Sequence, residues 1–119
     1  MRLIAILTAL ALAASPALAG KADVLEVKAR ASGGTFSFDV TVQHADTGWD
    51  HYADAWRVVG PDGTVYGTRT LLHPHVDEQP FTRSLSGVAI PEDVQSVTLE
   101  SHDSVHGWGG ATVEVALPR

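Results

Sequence analysis

Apolar and polar residues alternate strictly in the segment that starts at Phe36, and this pattern constrains the fold more than any other feature of the chain. Its apolar positions are Phe36, Phe38, Val40 and Val42, with a single residue between each pair. A period of two places one face of a β-strand in a core and the other face outside. The segment from Leu25 to Ala29 alternates in the same way, and Ser32-Gly33-Gly34 between the two segments predicts a hairpin turn.

Five further strand-like segments follow, separated by turn-forming residues such as Gly60-Pro61-Asp62-Gly63. They span residues 51–59, 64–72, 81–90, 94–101 and 113–117. No segment combines a helical period with capping residues. Seven short strands at regular spacing predict an all-β fold, a seven-stranded antiparallel immunoglobulin-like β-sandwich with Trp56 in its core. A small β-barrel is the alternative.

The first 19 residues have the features of a secretory signal peptide. Arg2 precedes an apolar stretch, and Ala17-Leu18-Ala19 is a small-x-small cleavage sequence. We therefore expect residues 1–19 to be a cleaved signal peptide, residues 20–119 to be the β-sandwich domain, and the product to be periplasmic or secreted. Because the sequence has no cysteine to carry a lipid, we expect no membrane anchor after cleavage.

The absence of cysteine also excludes disulfides, thiolate metal sites and a blue-copper centre, which needs a cysteine ligand. The formal net charge is −6, which argues against a nucleic-acid partner. A small exported domain without disulfides has to be held by its core, or by a core together with a metal ion.

Histidine is the most informative residue type in this sequence. If successive strands run antiparallel, the loops that carry histidine all fall at one end of the sandwich, where recognition loops gather in variable-type domains. The opposite end receives the glycine- and proline-rich turns and no histidine. The six residues are His44, His51, His73, His75, His102 and His106.

Converging imidazoles indicate a transition-metal site, because neutral imidazole is the commonest ligand for zinc and copper(II). The best predicted ligands are His73, His75, His102 and His106, followed by His44 and His51. The residues predicted to complete or orient the site are Asp50, Asp103, Glu78, Trp49 and Trp108, and Asp46 and Asp77 are further carboxylates near the histidines. The predicted function is copper or zinc binding for sequestration or delivery, with a metal ion as the ligand and a periplasmic protein as a further partner.

Other interpretations of the same residues stay open. The histidines could form a pH-responsive rim, or His and Trp side chains could hold a peptide, a glycan or a protein without any metal. No serine nucleophile or carboxylate pair stands in a catalytic context, so we expect a protein that is not an enzyme. A small metal-dependent hydrolase is the remaining catalytic alternative.

Three stretches of the chain resemble a group of small, uncharacterised exported bacterial proteins. These stretches are His51-Tyr52-Ala53-Asp54-Ala55-Trp56, His73-Pro74-His75 with Glu78-Gln79-Pro80-Phe81, and the segment from His102 to Gly110. The resemblance covers most of the expected mature chain and implies no particular activity. In architecture the chain is also similar to periplasmic copper-binding immunoglobulin-like sandwiches, a likeness of fold alone. Some of those proteins have a histidine at the N-terminus that signal-peptide cleavage creates. The expected N-terminus here is Gly20, so this chain lacks that pattern.

Overall fold

A computed structural model describes residues 20–119, and the predicted signal peptide lies outside this range. The described chain forms seven β-strands. They are β1 (Asp23–Ser32), β2 (Thr35–Gln43), β3 (Ala53–Val59), β4 (Val65–Thr70), β5 (Phe81–Val88), β6 (Ser96–Asp103) and β7 (Gly107–Ala116).

The strands form two antiparallel sheets, which confirms the predicted all-β sandwich. One sheet has the order β1-β2-β5 and the other has the order β4-β3-β6-β7. In a constant-type immunoglobulin domain the fourth strand lies with the first, second and fifth. Here β4 pairs with β3 instead, through register partners such as Trp56 and Arg69.

The core lies between the sheets and is built from the alternating positions of their strands. Phe38, Val40 and Val42 on β2 face Trp56 on β3 and Leu99 on β6, all fully buried. Burial of one such side chain contributes about 1.5–3 kcal/mol to stability. The prediction that Trp56 belongs to the core is confirmed.

Two strands differ from their predicted form. A register irregularity between Val24 and Glu26 changes the face of β1, so that Val24 is buried and Leu25 is 46% exposed. β6 continues to Asp103, two residues beyond its predicted end, and β7 begins at Gly107, within a predicted loop. Residues 102 and 103 therefore lie in a strand, and their side chains point to opposite faces of the sheet.

Three loops and the start of the described chain meet at one end of the sandwich. The loops follow β2, β4 and β6, at residues 44–52, 71–80 and 104–106. The start of β1 joins them because Asp23 pairs with Gln43 at the end of β2. We call this region the loop end. Between residues 20 and 119 no helix has the length and hydrophobicity required to cross a membrane.

Candidate metal centre

Three of the six histidines surround one buried carboxylate at the loop end. His44 follows β2, His51 precedes β3, His106 precedes β7, and Asp103 is the last residue of β6. One nitrogen of His44, one of His51 and one oxygen of Asp103 all lie within 4.8 Å of one another. The His106 ring lies 5.1 Å from the His51 ring, centroid to centroid. We call these four residues the His/Asp cluster.

The two oxygens of Asp103 have different surroundings. Oδ2 accepts hydrogen bonds from His51 Nε2 at 2.9 Å, His106 Nδ1 at 3.0 Å and the backbone N–H groups of Val105 and His106. His44 Nε2 is 3.9 Å from the same oxygen. Oδ1 is buried and has no hydrogen-bond partner among the described residues. Leaving a buried acceptor unpaired is costly, so Oδ1 is available to a cation.

The surroundings of Asp103 favour its charged form. Burial alone raises the pKa of this carboxyl group, because desolvation disfavours the anion. The hydrogen bonds from the backbone of His106 and Val105, and from the rings of His106 and His51, outweigh burial and hold the pKa of Asp103 below its ordinary value. Asp103 is therefore an anion at neutral pH, as a metal ligand has to be.

His44 is held by a second buried carboxylate. Asp46 Oδ1 accepts a hydrogen bond from His44 Nδ1 at 2.6 Å, and neither side chain is more than 1% exposed. A carboxylate on one ring nitrogen fixes the orientation of the imidazole, as it commonly does in metal-binding histidines. The other nitrogen, Nε2, is the one that a metal would have to take; it lies 3.9 Å from Asp103 Oδ2 and 3.1 Å from the carbonyl oxygen of Gly20.

The His/Asp cluster opens to solvent in one direction. The exposed fraction of the side chain rises from 1% for His44 to 23% for His51 and 37% for His106, while Asp103 is fully buried. An ion could therefore enter past His106 and be held by His44, His51 and Asp103. Three nitrogen or oxygen ligands and an open position suit zinc or copper(II).

His73 and His75 form a pair whose contacts lie elsewhere in the loop end. Their rings are 4.7 Å apart, and the buried ring of His75 stacks on Phe81 at 3.9 Å. Arg83 donates a hydrogen bond to His75 Nε2 at 2.9 Å, so a guanidinium occupies this nitrogen, while His75 Nδ1 is buried and has no partner among the described residues. Burial first, and then the positive charges of Arg83 and His73, lower the pKa of His75 below its ordinary value of 6.5.

His102 faces away from the His/Asp cluster. Because β6 extends through residues 102 and 103, Asp103 points into the sandwich and His102 points outward. His102 Nδ1 donates to Asp54 at 2.5 Å, and its ring lies edge-on to Trp108. Trp108 packs under the guanidinium of Arg57 on this outer face. The sequence predicts no strand between residues 101 and 113, whereas β6 continues to Asp103 and β7 begins at Gly107. This prediction was wrong, and the extended strands hold His102 and Trp108 on the outer face, away from the cluster.

The other predicted supporting residues lie at the surface of the loop end. Trp49 and Asp50 are exposed, and Trp49 contacts Tyr52 edge-on. Glu78 is exposed and lies 3.5 Å from Arg83. No described hydrogen bond joins any of these side chains to the His/Asp cluster.

Asp46, which the sequence offers only as one of several carboxylates near the histidines, connects three parts of the loop end. Besides His44, its carboxylate accepts the backbone N–H of Ala53 at 3.0 Å and of His75 at 2.8 Å. It therefore connects the loop after β2 to β3 and to the loop after β4. In the sequence Asp46 stands in a polar segment, Ala45-Asp46-Thr47-Gly48, where nothing distinguishes it from the other carboxylates near the histidines.

The chain is similar to a curated protein and to a solved structure. The relative, named "Putative lipoprotein", comes from Halomicrobium mukohataei and is 41% identical over 96 residues, which cover 80% of this chain. The alignment covers 47% of the relative, so the chain spans about half its length. No protein-family model matches the chain.

The solved structure supports the fold alone. It is the crystal structure of hypothetical protein PH1083 from Pyrococcus horikoshii OT3, with a TM-score of 0.54 and 14% sequence identity. The similarity covers 82% of this chain and 88% of that one. At such low identity the likeness concerns the arrangement of strands and says nothing of the loops that carry the histidines.

Proposed function

We propose that this protein is an exported metal-binding protein that holds zinc or copper(II) with the His/Asp cluster. The observation that carries the proposal is the buried group of His44, His51 and Asp103, whose ligand atoms lie within 4.8 Å of one another. His106 borders the open side as a further ligand. The lipoprotein name of the relative and the signal-peptide pattern of residues 1–19 support export.

The donor set favours a borderline transition metal over calcium or magnesium. Calcium and magnesium prefer oxygen ligands, whereas this group offers up to three imidazole nitrogens and one carboxylate. Binding would replace the proton that His51 Nε2 shares with Asp103 Oδ2. The protein would then sequester the metal or deliver it to a partner protein.

The test is a thermal melt of the chelator-stripped protein with stoichiometric zinc(II) or copper(II), followed by native mass spectrometry. A ligand that binds only the folded state raises its stability, by about 2.7 kcal/mol at a free concentration of 100 times Kd. His51→Ala should abolish the shift and the retained ion. His102→Ala is the matched control, because His102 also bonds an aspartate but faces the outer side of the sheet.

No thermal shift and no retained ion in the unsubstituted protein would refute the proposal. Equal losses in His51→Ala and His102→Ala would show that binding does not occur at the His/Asp cluster.

A second candidate function is recognition of another molecule by the rim of the loop end. Trp49 is 67% exposed and Leu72 is 74% exposed, and Val76 and Val105 in the loops of the same end are also exposed. Large apolar side chains that project from three neighbouring loops are typical of a binding surface. Binding that resists chelators and is lost in Trp49→Ala would favour this function over metal binding.

A further inference from the structure

The first described residues of the chain are attached to the His/Asp cluster. The carbonyl oxygen of Gly20 lies 3.1 Å from His44 Nε2, the nitrogen that the proposed function assigns to the metal. The strand register brings the start of the chain to this region, because the pairing of Asp23 with Gln43 continues towards residues 44–46.

Several contacts fix this position. Ala22 is fully buried, and the carboxylate of Asp23 accepts the backbone N–H of Ala111 at 2.7 Å. Gly110 lets the chain pass closely, since a Cβ atom there would lie 1.9 Å from the carbonyl oxygen of Ala22. The segment from Gly20 to Asp23 therefore crosses β7 along a defined path and reaches the cluster.

The backbone nitrogen of Gly20 belongs to the same residue as this carbonyl oxygen. A nitrogen and an oxygen joined through Cα and the carbonyl carbon can close a five-membered ring with one ion. In an uncleaved precursor this nitrogen is an amide, whose lone pair is delocalised into the carbonyl of residue 19. After cleavage between Ala19 and Gly20 it becomes an α-amine with an ordinary pKa of about 8 and a free lone pair in its neutral form.

We propose that the α-amino group of Gly20 is a ligand of the metal site, so that signal-peptide cleavage completes the site. The inference rests on the proposed function and on cleavage after Ala19. It adds a nitrogen ligand beside His44 and gives the site a dependence on processing. The precursor would bind the metal weakly, and the exported form would bind it tightly.

The experiment compares the chain that begins at Gly20 with the same chain acetylated enzymatically at the Gly20 amine, which leaves Lys21 and Lys28 unmodified. Both forms contain the whole described core, which runs from Ala22 to Leu117. Zinc(II) and copper(II) affinities are measured by competition with a chromophoric chelator. Loss of an outer-sphere partner alone costs about 10–100-fold in metal affinity, so acetylation should weaken binding by at least about tenfold.

A spectroscopic readout separates ligation from a structural effect. With glycine-selective ¹⁵N labelling, the nitrogen hyperfine couplings of bound copper(II) should change in the free-amine form and stay unchanged in the acetylated form. The metal-free melting temperatures of the two forms should agree. The intact mass of the protein recovered from the exported fraction should correspond to a chain that begins at Gly20.

Equal metal affinities for the two forms, or no effect of the glycine label, would overturn this inference and leave the proposed function standing. An exported protein that begins at another residue would also overturn it. If neither form binds zinc or copper, the proposed function fails and this inference fails with it.

Discussion

Asp46 Oδ1 lies 2.6 Å from His44 Nδ1, and both side chains are shielded from solvent. The same carboxylate also accepts the backbone N–H groups of Ala53 and His75. One buried anion thus orients a candidate ligand and connects two distant parts of the chain. The candidate metal centre and the structure of the loops therefore depend on the same residue.

Replacing Asp46 should destabilise the protein strongly. Asp46→Ala leaves His44 Nδ1 and the backbone N–H groups of Ala53 and His75 without their acceptor, and each unsatisfied buried group costs about 1–3 kcal/mol. Urea unfolding of the metal-free protein measures the change. Asp50→Ala is the matched control, since this exposed aspartate of the same loop should change stability by less than about 0.5 kcal/mol. Similar values for the two variants would contradict the role assigned to Asp46.

Asp103→Asn should affect metal affinity more than metal-free stability. The amide oxygen of asparagine can still accept the backbone N–H groups of Val105 and His106. The negative charge is lost, however, and the amide nitrogen is not a metal ligand. We expect metal affinity to fall by at least about tenfold, measured by chelator competition, while the variant remains folded by circular dichroism. Unchanged affinity would exclude Asp103 as a ligand.

Stability should fall on mild acidification because of His75. Its pKa is lowered in the folded state, chiefly by burial and then by Arg83, so below pH 6.5 the unfolded chain binds a proton more readily than the folded chain does. The stability that neutral His75 contributes is thus complete above about pH 6.5 and is lost as the pH falls below that value.

The measurement is urea unfolding of the metal-free protein and of His75→Asn from pH 7.5 downward. The difference in their free energies of unfolding should change with pH, because the unsubstituted protein alone carries the His75 contribution. Arg83→Gln removes the second cause of the lowered pKa and should weaken the pH dependence. A difference that does not vary between pH 7.5 and 5 would show that His75 titrates normally.

Gly110→Ala should displace the segment that begins at Gly20. Gly110 has a φ of 72°, and its added Cβ would collide with the carbonyl oxygen of Ala22. Gly63→Ala is a matched control, with a φ of 90° and no atom within 4 Å of the added Cβ. Both changes carry backbone strain of about 1–3 kcal/mol. Because of the additional collision, Gly110→Ala should lower the melting temperature more than Gly63→Ala does, and it alone should weaken metal binding. Equal melting temperatures would mean that the close approach of Ala22 is absent.

The sequence predicted the architecture well because alternation and turn residues are local signals. The alternation of Phe36 to Val42 and the Gly60–Gly63 turn correspond to observed strands and connections. The convergence of the loops at one end followed from the strand count alone. Trp56 was correctly placed in the core.

Side-chain direction at the loop end could not be predicted in the same way. Two extra residues at the end of β6 turn His102 outward and Asp103 inward, and no sequence signal fixed that boundary. The sequence did not distinguish Asp46 from the other loop carboxylates, because its three partners come together only in the folded chain. The contact of Gly20 with His44 likewise depends on tertiary register.

The hydrogen bonds by which Asp46 connects the loops have a consequence for the redox conditions under which the protein can fold. Small exported domains commonly rely on disulfides, which form in oxidising compartments and break under reducing ones. This chain has no cysteine, and a hydrogen bond between the Asp46 carboxylate and the backbone N–H of His75 connects two loops across 29 residues of sequence. The loop end therefore has the same geometry in the presence of reductant, and its assembly does not depend on an oxidising environment or a thiol oxidase.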